Sequence, residues 1–176
     1  PAETREQQIQ VRQATAQLLR DANNHQEAFT ILSSALDQYP DDPDLLYDHA
    51  MLAEKLDRVD ILESSLRKLI SIKPDHAHAY NALGYTLADR NQRLEEAQAL
   101  IGQALKLSPD DAFIMDSMGW VLFRQGKGEE GLKYLQRAYS IRPDAEIAAH
   151  LGEVLWALGR RDEARKVWDE ALKKTP

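Results

Sequence analysis

The sequence predicts an all-α fold made of about five repeated helix–turn–helix units. Three observations support this prediction. Prolines recur at positions 40, 74, 109, 143 and 176, at intervals of 34, 35, 34 and 33 residues, and a fixed period in this range indicates a repeat. Between the prolines, apolar residues recur at steps of three and four, as they do on one face of an α-helix. No segment shows the period-two alternation that is typical of strands.

Each proline marks the boundary between two units. Proline cannot continue a helix and disfavours helical geometry in the residue before it. Every proline of the series except the last is followed by an aspartate that can cap the next helix; these are Asp41, Asp75, Asp110 and Asp144. We therefore expect a single array over 1–176, with units at about 9–42, 43–76, 77–111, 112–144 and 145–176.

The elements can be predicted in chain order within these boundaries. The first helix is predicted over 4–23. The fourth unit shows the pattern most clearly: a first helix over 112–125, a glycine-rich turn over 126–128 and a second helix over 129–141. A last helix is predicted over 162–174. Paired acids near the start of the second helices, such as Glu95 and Glu96, favour the positive end of the helix dipole.

Small residues stand at fixed distances before the prolines. A small residue at a helix crossing lets two backbones approach closely, while a bulky neighbour fills the space beside the crossing. One column in the first helices holds Ala16, Ala50, Gly84, Gly119 and Gly152, and a column in the second helices holds Ala28, Leu62, Ala97, Gly131 and Ala164. The bulky column holds Leu32, Leu66, Ile101, Leu135 and Trp168. These columns predict close packing of the two helices within each unit.

The period and the columns resemble the tetratricopeptide repeat (TPR), whose signature is W-x2-L-G-x2-Y…A-x3-F…P. The third unit carries the resemblance with Leu83, Gly84, Leu87, Ala97, Ile101 and Pro109; the fourth with Met118, Gly119, Leu122, Gly131, Leu135 and Pro143; the fifth with Leu151, Gly152, Leu155, Ala164, Trp168 and Pro176. The resemblance covers nearly the whole chain and implies a right-handed superhelical solenoid. More narrowly, the last three units look like the C-terminal part of long bacterial TPR proteins, some of which resemble envelope lipoproteins that scaffold a periplasmic processing protease.

Some positions depart from the TPR pattern. The second unit carries His49 where a leucine is usual, and we expect this histidine to lie in the core, bonded to a backbone group. The first unit lacks the usual large residue at Arg12. The third has one extra residue in the turn at 89–93. These departures weaken single units but leave the array intact.

The resemblance implies a non-catalytic scaffold that binds a peptide or a helix of another protein in a concave groove lined by the first helices. The groove positions are those turned away from the packing between the two helices of a unit. The expected groove residues are Tyr47, Met51, Asn81, Tyr85, Phe113, Asp116, Trp120, Phe123, Arg124 and Trp156.

The helix over 112–125 is apolar nearly all round, and two interpretations of it stay open. In one, Trp120 and Phe123 anchor an apolar or extended peptide while Arg124 pairs with a carboxylate of that peptide. In the other, neighbouring first helices cover these rings. The first interpretation predicts that Trp120→Ala weakens binding by about 2 kcal/mol and leaves helicity intact.

Composition and motifs exclude several classes of function. The 176 residues carry a net charge of −7, which is the wrong sign for binding nucleic acid. No apolar stretch is long enough to insert in a membrane. There is no cysteine, and the run from Asp75 to His78 places its histidines on different helix faces, so we expect no metal. No catalytic or phosphate-binding motif occurs, so neither catalysis nor a cofactor is expected.

A second hypothesis is structural self-association, in which the chain forms homo-oligomers through the ends of the array as part of a larger bacterial envelope assembly. The last helix keeps the apolar residues Val167, Trp168 and Leu172 with no helix after it. The sequence opens without methionine, and we expect it to be a segment cut from a longer protein. The compartment stays open between the cytoplasmic and the periplasmic side of a bacterial envelope.

Overall fold

The computed structural model describes residues 1–174, which form ten α-helices and no strand. The helices are α1 (Arg5–Asp21), α2 (His25–Gln38), α3 (Pro43–Lys55), α4 (Val59–Ile72), α5 (Ala77–Asp89), α6 (Leu94–Leu107), α7 (Ala112–Arg124), α8 (Gly128–Ile141), α9 (Ala145–Ala157) and α10 (Arg161–Lys174). The all-α prediction is confirmed. The helices follow one another in five pairs, and the prolines at 40, 74, 109 and 143 lie in the segments between pairs. Pro176 lies outside the described residues.

The packing divides the chain into two compact units. Unit 1 runs from Pro1 to Ala79 and contains two helix pairs, α1–α2 and α3–α4. Unit 2 begins at Tyr80 and contains most of α5 together with α6 to α10. The single array expected from the proline spacing stays a prediction, since each unit is described by itself.

Aspartates cap three of the first helices, with a shift of one residue in two of them. Asp144 caps α9 as predicted, accepting from Glu146 N at 2.8 Å. The cap of α3 is Asp42 rather than Asp41, and the cap of α7 is Asp111 rather than Asp110. Pro40 and Pro109 are each followed by two aspartates. The second aspartate directly precedes the helix, and from there its side chain reaches the free N–H groups of the first turn.

The small-residue columns form the crossings between paired helices, as predicted. Within the α7–α8 pair, a Cβ built on Gly119 would lie 2.8 Å from the carbonyl oxygen of Gly131, and one built on Gly131 would lie 2.5 Å from that of Gly119. Because these contacts are with backbone, neither position can gain a methyl group without a shift of the helices. Leu135, from the bulky column, is fully buried beside this crossing.

His49 is half-buried in unit 1 rather than enclosed in the core, and its partners differ from the expected backbone group. Its Nε2 lies 2.9 Å from the Ser33 hydroxyl and its Nδ1 lies 3.0 Å from the Ser65 hydroxyl. The ring also stacks on Phe29, with centroids 4.5 Å apart. The backbone groups of the surrounding helices are already bonded within those helices, so side-chain hydroxyls satisfy the imidazole. Burial lowers the pKa of His49.

Helix α7 is the most enclosed element of unit 2. Ten of its thirteen residues are buried, and they cover every face of the helix. It packs against α8 within its own pair and against α6 and α9. The aromatic and polar residues of α7 therefore have to be accommodated by neighbouring helices.

Candidate functional site

The expected groove residues of unit 1 lie on α3 and are half-buried. These residues are Tyr47 and Met51. The ring of Tyr47 tilts against that of His76, with centroids 5.4 Å apart. Burial, followed by the charge of Asp48, raises the pKa of the Tyr47 hydroxyl. His76 in turn accepts from Ala79 N through its Nδ1 at 3.1 Å, so this histidine, rather than the predicted Asp75, caps the start of α5.

In unit 2, side chains of three successive first helices meet in what we call the inner cluster, consisting of Tyr85, Asp116, Trp120 and His150. His150 Nδ1 donates to the Asp116 carboxylate, at 2.9 Å from Oδ1 and 3.0 Å from Oδ2. His150 Nε2 lies 3.2 Å from the Tyr85 hydroxyl. The Trp120 indole stacks on the imidazole, with ring centroids 4.4 Å apart and an interplanar angle of 27°. The cluster therefore joins α5, α7 and α9.

Arg124 covers the other side of the inner cluster. Its guanidinium carbon lies 5.0 Å from the centroid of the Trp120 ring, a cation–π arrangement. The same guanidinium donates to the Asp89 carbonyl at 3.1 Å and lies 3.9 Å from the Asp89 carboxylate. Phe123 packs on the edge of the cluster, with its ring centroid 5.4 Å from that of Trp120. Arg124 was predicted to pair with a carboxylate of a bound peptide. In the structure the nearby carboxylate is that of Asp89, on α5 of the same chain.

The inner cluster also holds a buried charge pair. Burial alone would lower the pKa of His150, but the hydrogen bond and the charge of Asp116 outweigh it, and the pKa is raised. Glu146 and Asp89 add to the same direction. Burial raises the pKa of the Asp116 carboxyl, and the hydrogen bond and charge of His150 offset only part of that effect. Each partner favours the charged form of the other in a site from which water is largely excluded.

Burial supports the interpretation of α7 in which neighbouring helices cover the Trp120 ring. Trp120 and Asp116 are both only 3% exposed. Neighbouring helices cover the Trp120 ring, and this residue and Asp116 hold helices together instead of facing solvent. Tyr85, Phe123 and Arg124 are half-buried and reach the edge of the same cluster.

A row of solvent-facing residues on the first-helix surface lies on α9. Ala149, Glu153 and Trp156 are exposed and follow one another at helical steps of four and three. Trp156 stacks on Trp168 of α10, with centroids 5.8 Å apart. The guanidinium groups of Arg161 and Arg165 also lie over the Trp156 ring. The ring of Trp156 is therefore held in place while 36% of the residue stays open to solvent.

Two expected groove residues lie apart from the inner cluster. Phe113, at the start of α7, is 37% exposed and lies beneath Arg142, whose guanidinium carbon is 5.0 Å from the ring centroid. Asn81 is half-buried on α5, and its side-chain oxygen has no hydrogen-bond partner among the described residues.

Sequence reasoning missed His150 as a member of this arrangement and did not pair Asp89 with Arg124. His150 lies two residues before Gly152, on the side of α9 that meets α7. A histidine in a helix whose other polar side chains are Glu146 and Glu153 was the available signal, but its partner, 34 residues earlier, could not be identified from spacing alone. Asp89 and Arg124 each lie five residues after their small residue, a register that a comparison of adjacent repeats could have revealed.

Within residues 1–174, no helix is both long and apolar enough to cross a membrane. The same part of the chain contains no group of three or more histidine or acidic side chains placed to hold a metal ion. The inner cluster itself combines one carboxylate and one imidazole with aromatic rings.

Paired helices with an exposed first-helix face define an α-helical repeat protein, a class that works through its binding surfaces. Models of the tetratricopeptide repeat match residues 9–52, 86–146 and 117–176. The chain therefore belongs to the tetratricopeptide repeat family.

Within this family, the chain is similar to several known proteins. It is 48% identical over 145 residues to a TPR repeat-containing protein of Pseudomonas aeruginosa. The aligned segment covers 82% of this chain and 25% of that protein. The chain thus spans about a quarter of the length of this relative. A thermophilic TPR protein of Thermus thermophilus superimposes with a TM-score of 0.84 at 25% identity, over 95% of this chain and 91% of that chain. PilW, a type IV pilus biogenesis factor, superimposes with a TM-score of 0.83 at 22% identity, over 93% and 77% of the two chains.

Proposed function

We propose that the chain is a non-catalytic scaffold that holds a peptide or helix of another protein against the first-helix face of unit 2. The observation that carries this proposal is the exposed face of α9, with Ala149, Glu153 and Trp156 in a row. The inner cluster supports that face from behind by fixing α9 to α7 and α5. Membership of a repeat family that works by protein–protein contact supports the same conclusion.

The chemistry of the α9 face suits a partner segment with mixed polar and apolar side chains. Trp156 offers a large ring that the arginines of α10 already hold in place, so little side-chain entropy is lost on binding. Ala149, two turns away, has no side chain to keep a partner backbone at a distance. Glu153 lies between them and can accept a hydrogen bond or pair with a cation of the partner.

Site-specific photo-cross-linking tests this proposal. A photoreactive residue at position 149 or 153, introduced into the full-length protein in its own bacterial cells, is expected to give one discrete adduct with the same second protein. The control position is 169, which is exposed on α10. A fragment of the cross-linked protein is then expected to bind the purified chain and to lose at least tenfold in affinity with Ala149→Arg. Equal cross-linking from all three positions would contradict the proposal.

Self-association is a second candidate function, because Leu172 on α10 is a large apolar residue that is 68% exposed to solvent. In this case the adduct from α9 would be weak, and the chain would sediment as a dimer or higher oligomer at micromolar concentration. Leu172→Lys would then restore the monomer. A monomer that persists across the concentration range rejects this candidate and leaves the scaffold proposal unaffected.

A further inference from the structure

Unit 2 has a recess on the side formed by the second helices. It is a pocket of about 330 Å³ between α6, the start of α7 and α8, lined by Leu105, Pro109, Met115, Lys133, Tyr134 and Arg137. This volume lies at the low end of the range of about 300–1,000 Å³ typical of ligand sites. The pocket therefore suits one or two apolar side chains of a partner better than a large cofactor.

The floor of the pocket is apolar and firmly packed. Met115 is 2% exposed and belongs to a core cluster with Ala112, Ala138 and Ile147, against which Leu105 also packs. Tyr134 forms part of the wall and is 38% exposed. An apolar side chain entering the pocket would meet a preformed surface, so little rearrangement is needed.

Two cations stand beside this apolar floor. Lys133 and Arg137 lie one turn apart on α8 and are both exposed. Neither makes an ion pair with any residue of the described part of the chain. By contrast, Arg93 and Arg160 each pair with a glutamate three residues later. In a chain of net charge −7, these two neighbouring cations stay available to an acidic ligand, although Glu129 and Glu130 lie one turn earlier on α8.

We propose that this pocket binds an acidic segment of another protein. An aliphatic or aromatic side chain of that segment enters between Leu105, Met115 and Tyr134. Flanking carboxylates pair with Lys133 and Arg137, and the guanidinium of Arg137 offers two parallel donors to a carboxylate. Charge complementarity selects this occupant, because a basic segment would bring like charges together and a neutral one would leave both cations unpaired.

This surface is separate from the one proposed for the scaffold function. The pocket is lined by α6, α8 and the start of α7, whereas the inner cluster and the exposed face of α9 involve α5, α7 and α9. On α7 the two sites use different sides, with Met115 on one and Trp120 on the other. The two proposals therefore stand or fall independently.

Selection from a random peptide library tests the proposal even though the partner is unidentified. The chain is expected to select peptides that combine aspartate or glutamate with a leucine, isoleucine or phenylalanine. Binding of each selected peptide, measured by calorimetry, is expected to fall at least tenfold with Lys133→Glu/Arg137→Glu and severalfold with Tyr134→Ser. Replacing the glutamates of the peptide by glutamine is expected to weaken binding to the wild type by a similar factor, and raised salt to weaken it further.

The matched control is Lys173→Glu/Lys174→Glu, which changes the net charge by the same amount at the exposed end of α10. This variant is expected to bind the selected peptides as the wild type does, and circular dichroism checks that all variants remain helical. The proposal is overturned if no selected peptide depends on Lys133 and Arg137 more than on the control pair. It is also overturned if a fatty acid such as laurate binds this pocket while acidic peptides do not.

Discussion

Trp120 and Trp156 both lie on first helices of unit 2, yet their side chains have opposite environments. Trp120 is 3% exposed, between the imidazole of His150 and the guanidinium of Arg124, whereas Trp156 is 36% exposed. Each is a large ring on a mostly apolar helix, but Trp120 lies one residue after Gly119 and Trp156 lies four residues after Gly152. The position in the repeat and the facing side chains together separate the buried ring from the exposed one.

We expect Trp120→Ala to lower the free energy of unfolding of the chain by about 3–5 kcal/mol, because the cavity left in the inner cluster removes packing from three helices. Trp156→Ala, the matched surface change, should cost about 1 kcal/mol, the worth of an aromatic pair. Urea unfolding followed by circular dichroism measures both. A Trp120→Ala chain as stable as the wild type would show that the ring contributes to binding alone, as the first interpretation of α7 holds.

The buried pair of His150 and Asp116 makes stability depend on pH. The pKa of His150 is raised in the folded state, so the pair contributes fully below the unfolded histidine value of about 6.5 and this contribution is lost as pH rises through the folded pKa. We therefore expect the stability difference between the wild type and His150→Gln to be larger at pH 6 than at pH 9. Chemical denaturation at a series of pH values measures this difference.

His49 supplies an internal control of opposite sign. Its pKa is lowered by burial, so its contribution is present above about 6.5 and is lost as pH falls through the folded value. The difference between the wild type and His49→Gln should therefore shrink on acidification. If both histidine variants changed in the same direction, the charge pair in the inner cluster would not be the cause.

At the scale of helices, the crossing of α7 and α8 depends on two glycines that face each other. The backbone carbonyl of each lies within 3 Å of the place where the other would carry a Cβ. A helix interior normally favours alanine over glycine by about 1 kcal/mol. At this crossing the close approach of two backbones outweighs that preference.

Gly131→Ala is therefore expected to destabilise the chain by about 1–3 kcal/mol, the usual range for overpacking, despite the gain in helix propensity. The matched control is Gly102→Ala on α6, where an added Cβ would meet only the end of Met118 at 4.0 Å. That change should stabilise the chain by about 0.5–1 kcal/mol. Thermal unfolding of the two variants should shift the midpoint in opposite directions, and shifts of the same sign would contradict this account of the crossing.

At the scale of the whole molecule, the helices of unit 2 differ in how much of their surface is covered. Ten residues of α7 are buried, against a single one in α10. Local opening is less costly where fewer apolar contacts have to be broken. The distribution of burial therefore predicts a gradient of stability along unit 2.

Hydrogen exchange measured by mass spectrometry should reveal this gradient. Amides from Ile114 to Leu122 are expected to exchange at least about tenfold more slowly than those of α10. The Trp120→Ala variant should reduce the difference, because it loosens the inner cluster around α7. Protection spread evenly over both helices would show that unit 2 opens only as a whole.

The periodic features of this protein could be predicted from its sequence. The helix pairs, the prolines between them and the small-residue crossings all follow from spacing, and each appears at its predicted place to within one or two residues. The cap positions at Asp42 and Asp111 were misplaced by one residue, because two adjacent aspartates are equally good by type. His49 was predicted to lie in the core, but it is half-buried, and its two serine partners come from other helices.

The sequence by itself determined the fold, because helix periodicity, proline breaks and small residues act locally and repeat every 34 residues or so. The tertiary structure alone decided which first-helix residues face solvent, since Trp120 is covered by a histidine 30 residues later and Arg124 pairs with an aspartate 35 residues earlier. Contacts of this kind depend on the register between neighbouring helix pairs. That register is set by packing over the whole helix surface, which no single spacing in the chain records.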